Sequence, residues 1–354
     1  MIDYHLFSSK SEGKIVNNYL SENGFVLNFS FKKRFYYNVL RPVVPLFLRH
    51  WIQEFYNSKI NCHKNFIWDE FVNLVQKKDD ELENFIDNLY PDNFSNAVVL
   101  THDVDTQEGL NFIPQIIELE HKYNFKSSWN IVPYKYNITD DIINEIRNNG
   151  NEIGIHGYNH DGKLYYSKKI FDKRAIYINE AIEKYGAVGF RSPMVHRNLE
   201  WLQQLNILYD ASCFDYDPFQ PFPGGTGCIW PFIAGKFVEL PYTLPQDHTL
   251  FYVLKVKDIS IWKNKIDWLV NHHGMILVLT HPDYLREKDH LKYYEELLAY
   301  LSEIKNTWRC LPKEIAIWWS LKGSIFLKSS LRDFTLRNRM GGDLSWSMEY
   351  FSRK

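Results

Sequence analysis

From residue 97 onward, short apolar segments alternate with helix-length amphipathic stretches, and this rhythm limits the chain to very few architectures. Residues 97–101 and 275–280 are apolar almost throughout, without the polar alternation of a half-exposed strand. Unbroken runs of this kind belong to strands covered on both faces, as in a parallel sheet flanked by helices. Between them, the pattern predicts a helix over 110–123 and a strand over 126–132. Thr139 can cap a helix over 140–149, which has acidic residues in its first turn and Gly150 at its end. A strand over 152–156 follows, then a helix over 167–185 closed by Gly186. A short strand ends at Phe190 and a short helix covers 201–205. Next come a strand at 237–240 and helices over 258–273, 289–306 and 315–327. The order implies an α/β fold, a deformed and incomplete (β/α) barrel over residues 96–320. Residues 1–95 read as a mixed or helical N-terminal extension and 321–354 as a C-terminal tail.

The 354 residues carry a formal net charge of -2, which argues against a nucleic-acid partner held by a general basic field. Aromatic residues make up 16% of the chain, a share that suits either a large core or a sugar-binding groove. Cys62, Cys213, Cys228 and Cys310 are widely spaced and form neither a zinc ribbon nor a secreted disulfide framework. The first fourteen residues lack the layout of a signal peptide, and no run is long and apolar enough to span a bilayer. The expectation is a cytoplasmic protein, soluble or peripheral on the inner face of the membrane. Residues 25–56 interleave aromatics with Lys32, Lys33, Arg34, Arg41 and Arg49. Such a segment fits either contact with an anionic membrane surface or a helical extension packed on the main domain.

In a barrel of this kind the C-terminal strand ends meet on one rim, so residues far apart in sequence can share a site. Asp103 and Asp105 directly follow the buried run at 97–101. A helix cap needs one acid there; two, one residue apart, suit a metal ligand beside a base. His156 and His160 are four apart after the strand at 152–156, a spacing that can aim both imidazoles at one divalent ion. With 13 histidines in the chain that spacing carries little by itself. Its position after a buried strand, with Gly157 and Gly162 permitting a sharp turn, gives it weight. Arg191, in Phe190-Arg191-Ser192-Pro193, can brace a carboxylate or form a surface ion pair. His281 closes the most apolar strand and reads as a general acid or a satisfied core histidine.

Taken in order, these segments resemble the polysaccharide deacetylase family, carbohydrate esterase family 4, with its NodB-type homology domain. The likeness covers roughly residues 97–319. Thr101-His102-Asp103-Val104-Asp105 is similar to the family's first motif, with His102 in place of its usual apolar residue. His156-x-x-x-His160 resembles the second motif, Arg191-Ser192-Pro193 the third and Leu279-Thr280-His281 the fifth. The fourth motif has no clear counterpart, and Asp210, Asp217 and Asp247 are the candidates for its acid. The resemblance implies a seven-stranded NodB-type barrel. It implies Asp103 as catalytic base, Asp105, His156 and His160 as metal ligands, and Arg191 as the brace of the base. Leu279 would wall the acetyl pocket and His281 would be the general acid. Residues 36–49 and 308–319 are more loosely similar to segments that accompany this domain in bacterial surface-polysaccharide synthesis.

The function so implied is metal-dependent removal of an acetyl group, N-acetyl before O-acetyl, from a sugar or polysaccharide intermediate. Zn²⁺ is the simplest metal, with Co²⁺, Ni²⁺, Mn²⁺ and Fe²⁺ as alternatives. Pro193, Phe219, Phe222, Gly224, Gly225, Asp247 and His248 are the candidates for the substrate wall, since aromatic faces stack on sugar rings and glycines admit close approach. For the loop over 217–226 a proline-stiffened cover is the alternative. Two other functions compete: hydrolysis of a non-sugar amide at the same metal, and an inactive sugar-binding or scaffold protein.

Overall fold

The computed structural model describes residues 89–220 and 224–326 continuously and, before them, residues 2, 4–6, 13–22, 40, 43–45, 48 and 66–76. Phe222, residues 327–354 and all but a few positions of the 25–56 segment lie outside the described residues. No described helix is long and apolar enough to cross a membrane.

The described strands form one curled sheet. They are β1 (Tyr4–His5), β2 (Asn96–Val104), β3 (Ser127–Ile131), β4 (Glu152–His156), β5 (Gly189–Arg191), β6 (Tyr209–Asp210), β7 (Phe232–Ala234), β8 (Phe237–Glu239), β9 (Met275–Thr280) and β10 (Thr307–Arg309). Seven of them run parallel in the spatial order β9-β2-β3-β4-β5-β6-β8. β10 extends the sheet as a further parallel strand, and β7 and β1 are antiparallel additions. β2 pairs with β9 over Ala97 to His102, so β3 and β10 share its other edge, at Leu100 to Val104 and Asn96 to Val98.

The curl comes round through irregular backbone rather than a ladder. After β8, Leu240 N donates to Asp210 O (2.8 Å) and Tyr242 N to Cys213 O (3.0 Å), while Thr243 N and Leu244 N both reach Leu277 O at 3.3 Å. Thr243 Oγ1 also donates to Met275 O (2.7 Å) and accepts from Leu277 N (3.0 Å), so a hydroxyl stands in for a strand partner. This is a barrel deformed at one seam.

β4 and β9 have the bounds that the apolar runs predict. β2 runs on to Val104, past the expected end, because His102 and Asp103 continue the pairing with Trp129 and Asn130. β6, β7 and β10 are two or three residues long, too short to show a period. Two of the helices start at side chains that cap them. Thr139 accepts from Ile142 N ahead of Asp140–Asn148, and Ser167 from Ile170 N ahead of Lys168–Lys184.

Parts of the described N-terminal extension pack against the barrel. Glu22, just after the helix Gly13–Leu20, is buried against Arg197: Arg197 Nε donates to Glu22 Oε2 at 2.7 Å and Nη2 to Oε1. The Arg197 guanidinium also stacks 4.7 Å over Phe214. Gly225 N donates to Glu22 Oε1 (2.7 Å), and a Cβ on Gly224 would collide with both partners of the pair. The positive φ values of Gly224 and Gly225 therefore let the 214–227 loop close on this ion pair. Phe219 packs 5.6 Å from Phe66, and Trp68 stacks 5.1 Å from Tyr216.

Removing one partner of a buried pair leaves the other charge uncompensated. Glu22→Ala is expected to destabilise the protein by roughly 3–5 kcal/mol in urea unfolding, and Glu22→Ala/Arg197→Met to recover most of the loss.

Candidate active site

β2, β4, β5 and β9 deliver the predicted residues to one rim. Because side chains alternate along a strand, Thr101 and Asp103 share one face of β2 and His102 takes the other. Asp103 is 3% exposed. Its Oδ1 accepts from Asn130 Nδ2 at 2.8 Å, with Arg191 Nη1 at 3.4 Å. Gly154, beside Asn130 in the ladder, leaves space for that amide, since a Cβ there would lie 2.1 Å from Asn130 Oδ1. Arg191 is fully buried; its Nη1 donates to Thr101 Oγ1 (2.9 Å) and its Nε to Ala211 O (2.7 Å). Burial raises the Asp103 pKa, but the charges of His156, Arg191 and His281 and the Asn130 hydrogen bond outweigh it and hold the carboxyl below the usual range.

Asp105, His156 and His160 stand beside it. One ligand-type atom from each lies within 4.8 Å of the other two. Asp105 Oδ1 is 3.0 Å from His160 Nε2 and 3.5 Å from His156 Nε2; it is buried, yet has no hydrogen bond of proper geometry. His156 Nδ1 lies 3.1 Å from Arg191 O, and that contact orients the ring with Nε2 towards the cluster. Burial holds the His160 pKa below its ordinary value against the pull of Asp105, favouring the neutral, ligating imidazole. An orphaned carboxylate oxygen between two imidazole nitrogens fits a divalent cation with open positions, and two nitrogens plus one oxygen suit zinc. Gly157 (φ +67°) makes the turn possible, since a Cβ there would lie 2.4 Å from the Pro193 ring.

His281 faces the pair of aspartates from β9. Its Nδ1 is 2.7 Å from Asp247 Oδ1, and its backbone N donates to Asp247 Oδ2 at 2.7 Å. Burial lowers the His281 pKa, but Asp247, and beyond it Asp105 and Asp103, push it up to about 10. Asp247, expected on the substrate wall, is instead fully buried behind His281. Of the three acids considered for the missing motif it alone hydrogen-bonds a rim residue singled out by sequence. Asp210 accepts from Ser212 (2.7 Å), and Asp217 from Phe219 N (2.9 Å) within its own loop.

The remaining wall candidates divide. Pro193 lines a cleft with Tyr158, His160, Arg174 and His196, and Leu279 is buried in β9 beside Thr101. His248 is half-buried, 5.5 Å from Tyr284, which itself lies 4.9 Å from His281. Phe219, Gly224 and Gly225 face the N-terminal segment, which corrects the expectation that they line the wall: their packing on Phe66 and Glu22 is what orders that loop. Sequence reasoning passed over Asn130 and Tyr158. Asn130 had a signal: it shares strand parity with Ser128, which marks a polar face inside an otherwise buried strand.

No family model matches the sequence, and no curated protein does. Solved structures match in fold. A protein of Mycobacterium smegmatis classed as a polysaccharide deacetylase superposes with a TM-score of 0.55 at 18% identity, covering 66% of this chain and 93% of that one. One of Pseudomonas aeruginosa PAO1, classed the same way, gives 0.51 at 13% identity and covers 66% and 93%. The fold is that of the polysaccharide deacetylases. An allantoinase shares it, with a TM-score of 0.51 at 14% identity and coverage of 66% and 92%. At these identities the likeness concerns architecture, and the chemistry rests on the site itself.

A cation that binds only the folded chain stabilises it. Zn²⁺ added to chelator-stripped protein at a hundred times its dissociation constant is expected to raise stability by about 2.7 kcal/mol. His160→Ala is expected to lose that gain, read as the shift in the thermal midpoint.

Proposed function

We propose that this protein is a metal-dependent hydrolase that removes an acetyl group, as an amide before an ester, from a sugar or glycan intermediate. The observation that carries this reading is the pairing of Asp103, outside the donor set but alongside it, with a His281–Asp247 couple across the rim. Asp105, His156 and His160 would hold the cation. When bound, it supplies Lewis acidity to the acyl oxygen and makes a water more acidic.

The chain's own residues account for the proton transfers. Asn130 and Arg191 occupy Asp103 Oδ1, which leaves Oδ2, 3.7 Å from His156 Nε2, to take the proton of an attacking water. The low pKa of Asp103 keeps it ionised at neutral pH. As the tetrahedral adduct breaks its C–N bond, the nitrogen leaves with a proton from His281, which its raised pKa keeps charged. The proton gained by Asp103 then returns through solvent to His281.

Aromatic surface supports a sugar as substrate. From residue 89 on, the exposed large hydrophobics among the described residues are Tyr134 (42%), Ile176 (60%) and Tyr177 (38%), and the Tyr134 and Tyr177 rings lie 6.1 Å apart. Tyr134 lies 4.8 Å from Tyr158, which lines the cleft with His160. On the other side, Tyr284 and Tyr252 (4.8 Å apart) continue from His281. Aromatic rings beside His160 and beside His281 suit pyranose rings, which present apolar C–H faces with polar edges. The allantoinase fold neighbour keeps a cyclic amide as the second reading. Acetate release from N-acetylated oligosaccharides, measured beside turnover of small cyclic amides, separates the two; activity on the amides alone overturns the sugar reading.

Asp103→Asn is expected to keep its bound metal and lose about 10²–10⁴-fold in turnover. His281→Ala is expected to slow an N-acetyl substrate more than an acetyl ester with a good leaving group. Asp247→Asn removes the charge that raises the His281 pKa. The imidazolium then loses its proton at lower pH, and the alkaline limb of the pH–rate profile moves to lower pH.

A further inference from the structure

Behind the catalytic face of β2 lies a second polar cluster to which the mechanism assigns nothing. His102, which stands where the resembling family has an apolar residue, is 0% exposed. Its Nε2 lies 2.7 Å from Glu120 Oε1 and its Nδ1 2.8 Å from Thr280 Oγ1. Glu120, on the helix Gln107–Lys122, also accepts from Tyr294 OH (2.6 Å) and Ser127 Oγ (2.6 Å). The imidazole stacks on Trp129 with centroids 4.2 Å apart. Glu120, Thr280, Ser127, Trp129 and Tyr294 are, like His102, fully buried.

The register shows what this cluster is attached to. Thr280, His102 and Trp129 form one row across β9, β2 and β3. Each is followed in the chain by a residue of the catalytic layer: His281, Asp103 and Asn130. Successive strand residues face opposite ways, so a bond made in the rear row fixes the backbone that aims the front row. Polar groups buried this deeply are costly to leave unpaired, and an apolar row would fill the same volume without that demand.

We infer that His102, with Thr280 and Glu120, is a positioning device that locks the strands carrying the general base and the general acid to each other; this rests on the function proposed above. His102 touches no substrate. It ties Thr280 on β9 to the outer helix through Glu120, and so sets the separation of Asp103 and His281. Misplacement of a reacting group by about 1 Å costs on the order of 10²-fold in rate.

Two variants test it. Thr280→Val keeps the shape and removes one bond; His102→Phe keeps the stack on Trp129 and removes both. For each, kcat for acetate release is expected to fall about 10–100-fold, with KM and zinc stoichiometry unchanged. His102→Phe/Thr280→Val also removes the hydroxyl left unpaired, while Glu120 keeps Tyr294 and Ser127. It is expected to regain thermal stability while kcat stays low. A purely structural role predicts that stability and kcat recover together, and that result, or a folded Thr280→Val of normal kcat, overturns the inference. If the wild type releases no acetate from any substrate tried, the proposed function fails, and crystal structures decide the positioning claim. Asp103 and His281 displaced in Thr280→Val support it, and both unmoved refute it.

Discussion

The alternation of side chains along β2 is the constraint from which the rest of the site follows. Thr101 and Asp103 point into the barrel, His102 points out to the helices, and Asp105 lies in the turn just beyond the strand end at Val104. A slip of one residue in the pairing with β3 or β9 would exchange the two faces, placing His102 where Asp103 meets Arg191. That register is secured on both sides of the sheet. Asn130 and Arg191 hold Asp103 within, and the His102–Thr280 and His102–Glu120 bonds hold the strand from without.

Electrostatics divide the acids and bases of the rim into roles by environment. Asp103 is buried and Asp105 half-buried, yet surrounding imidazoles, joined at Asp103 by the Arg191 guanidinium, hold both pKa values low. His281 is buried and His160 half-buried, and their pKa values move in opposite directions. Burial, with the charges of His156 and Lys135, lowers His160 against the pull of Asp105, whereas His281 has Asp247 at 2.7 Å and is driven up. One imidazole is thereby suited to give an electron pair to a cation and the other to give a proton to a leaving group.

Much of this frame is legible in the chain. The runs at 152–156 and 275–280 set two strands, Thr139 and Ser167 start two helices, and Asp103, Asp105, His156, His160, Arg191 and His281 all follow buried segments. Their side chains converge because parallel strands end on one rim. What stays hidden depends on contacts between distant residues. Asp247 is 34 positions from His281 and sits in an irregular segment with no period to read. Glu22 looks like one surface acid among many until Arg197, 175 residues away, is seen beside it. The glycine pair in the 217–226 stretch signals close backbone approach, but not which neighbour approaches. Here it is Glu22 and Arg197 rather than a ligand.

The central claim is a single cation held by one carboxylate and two imidazoles, with a second carboxylate left free. The most direct test is anomalous diffraction from crystals of the zinc-loaded protein. The account predicts one peak at about 2.0–2.2 Å from Asp105, His156 and His160, with Asp103 outside bonding range. A peak elsewhere, none at all, or Asp103 among the ligands would contradict it.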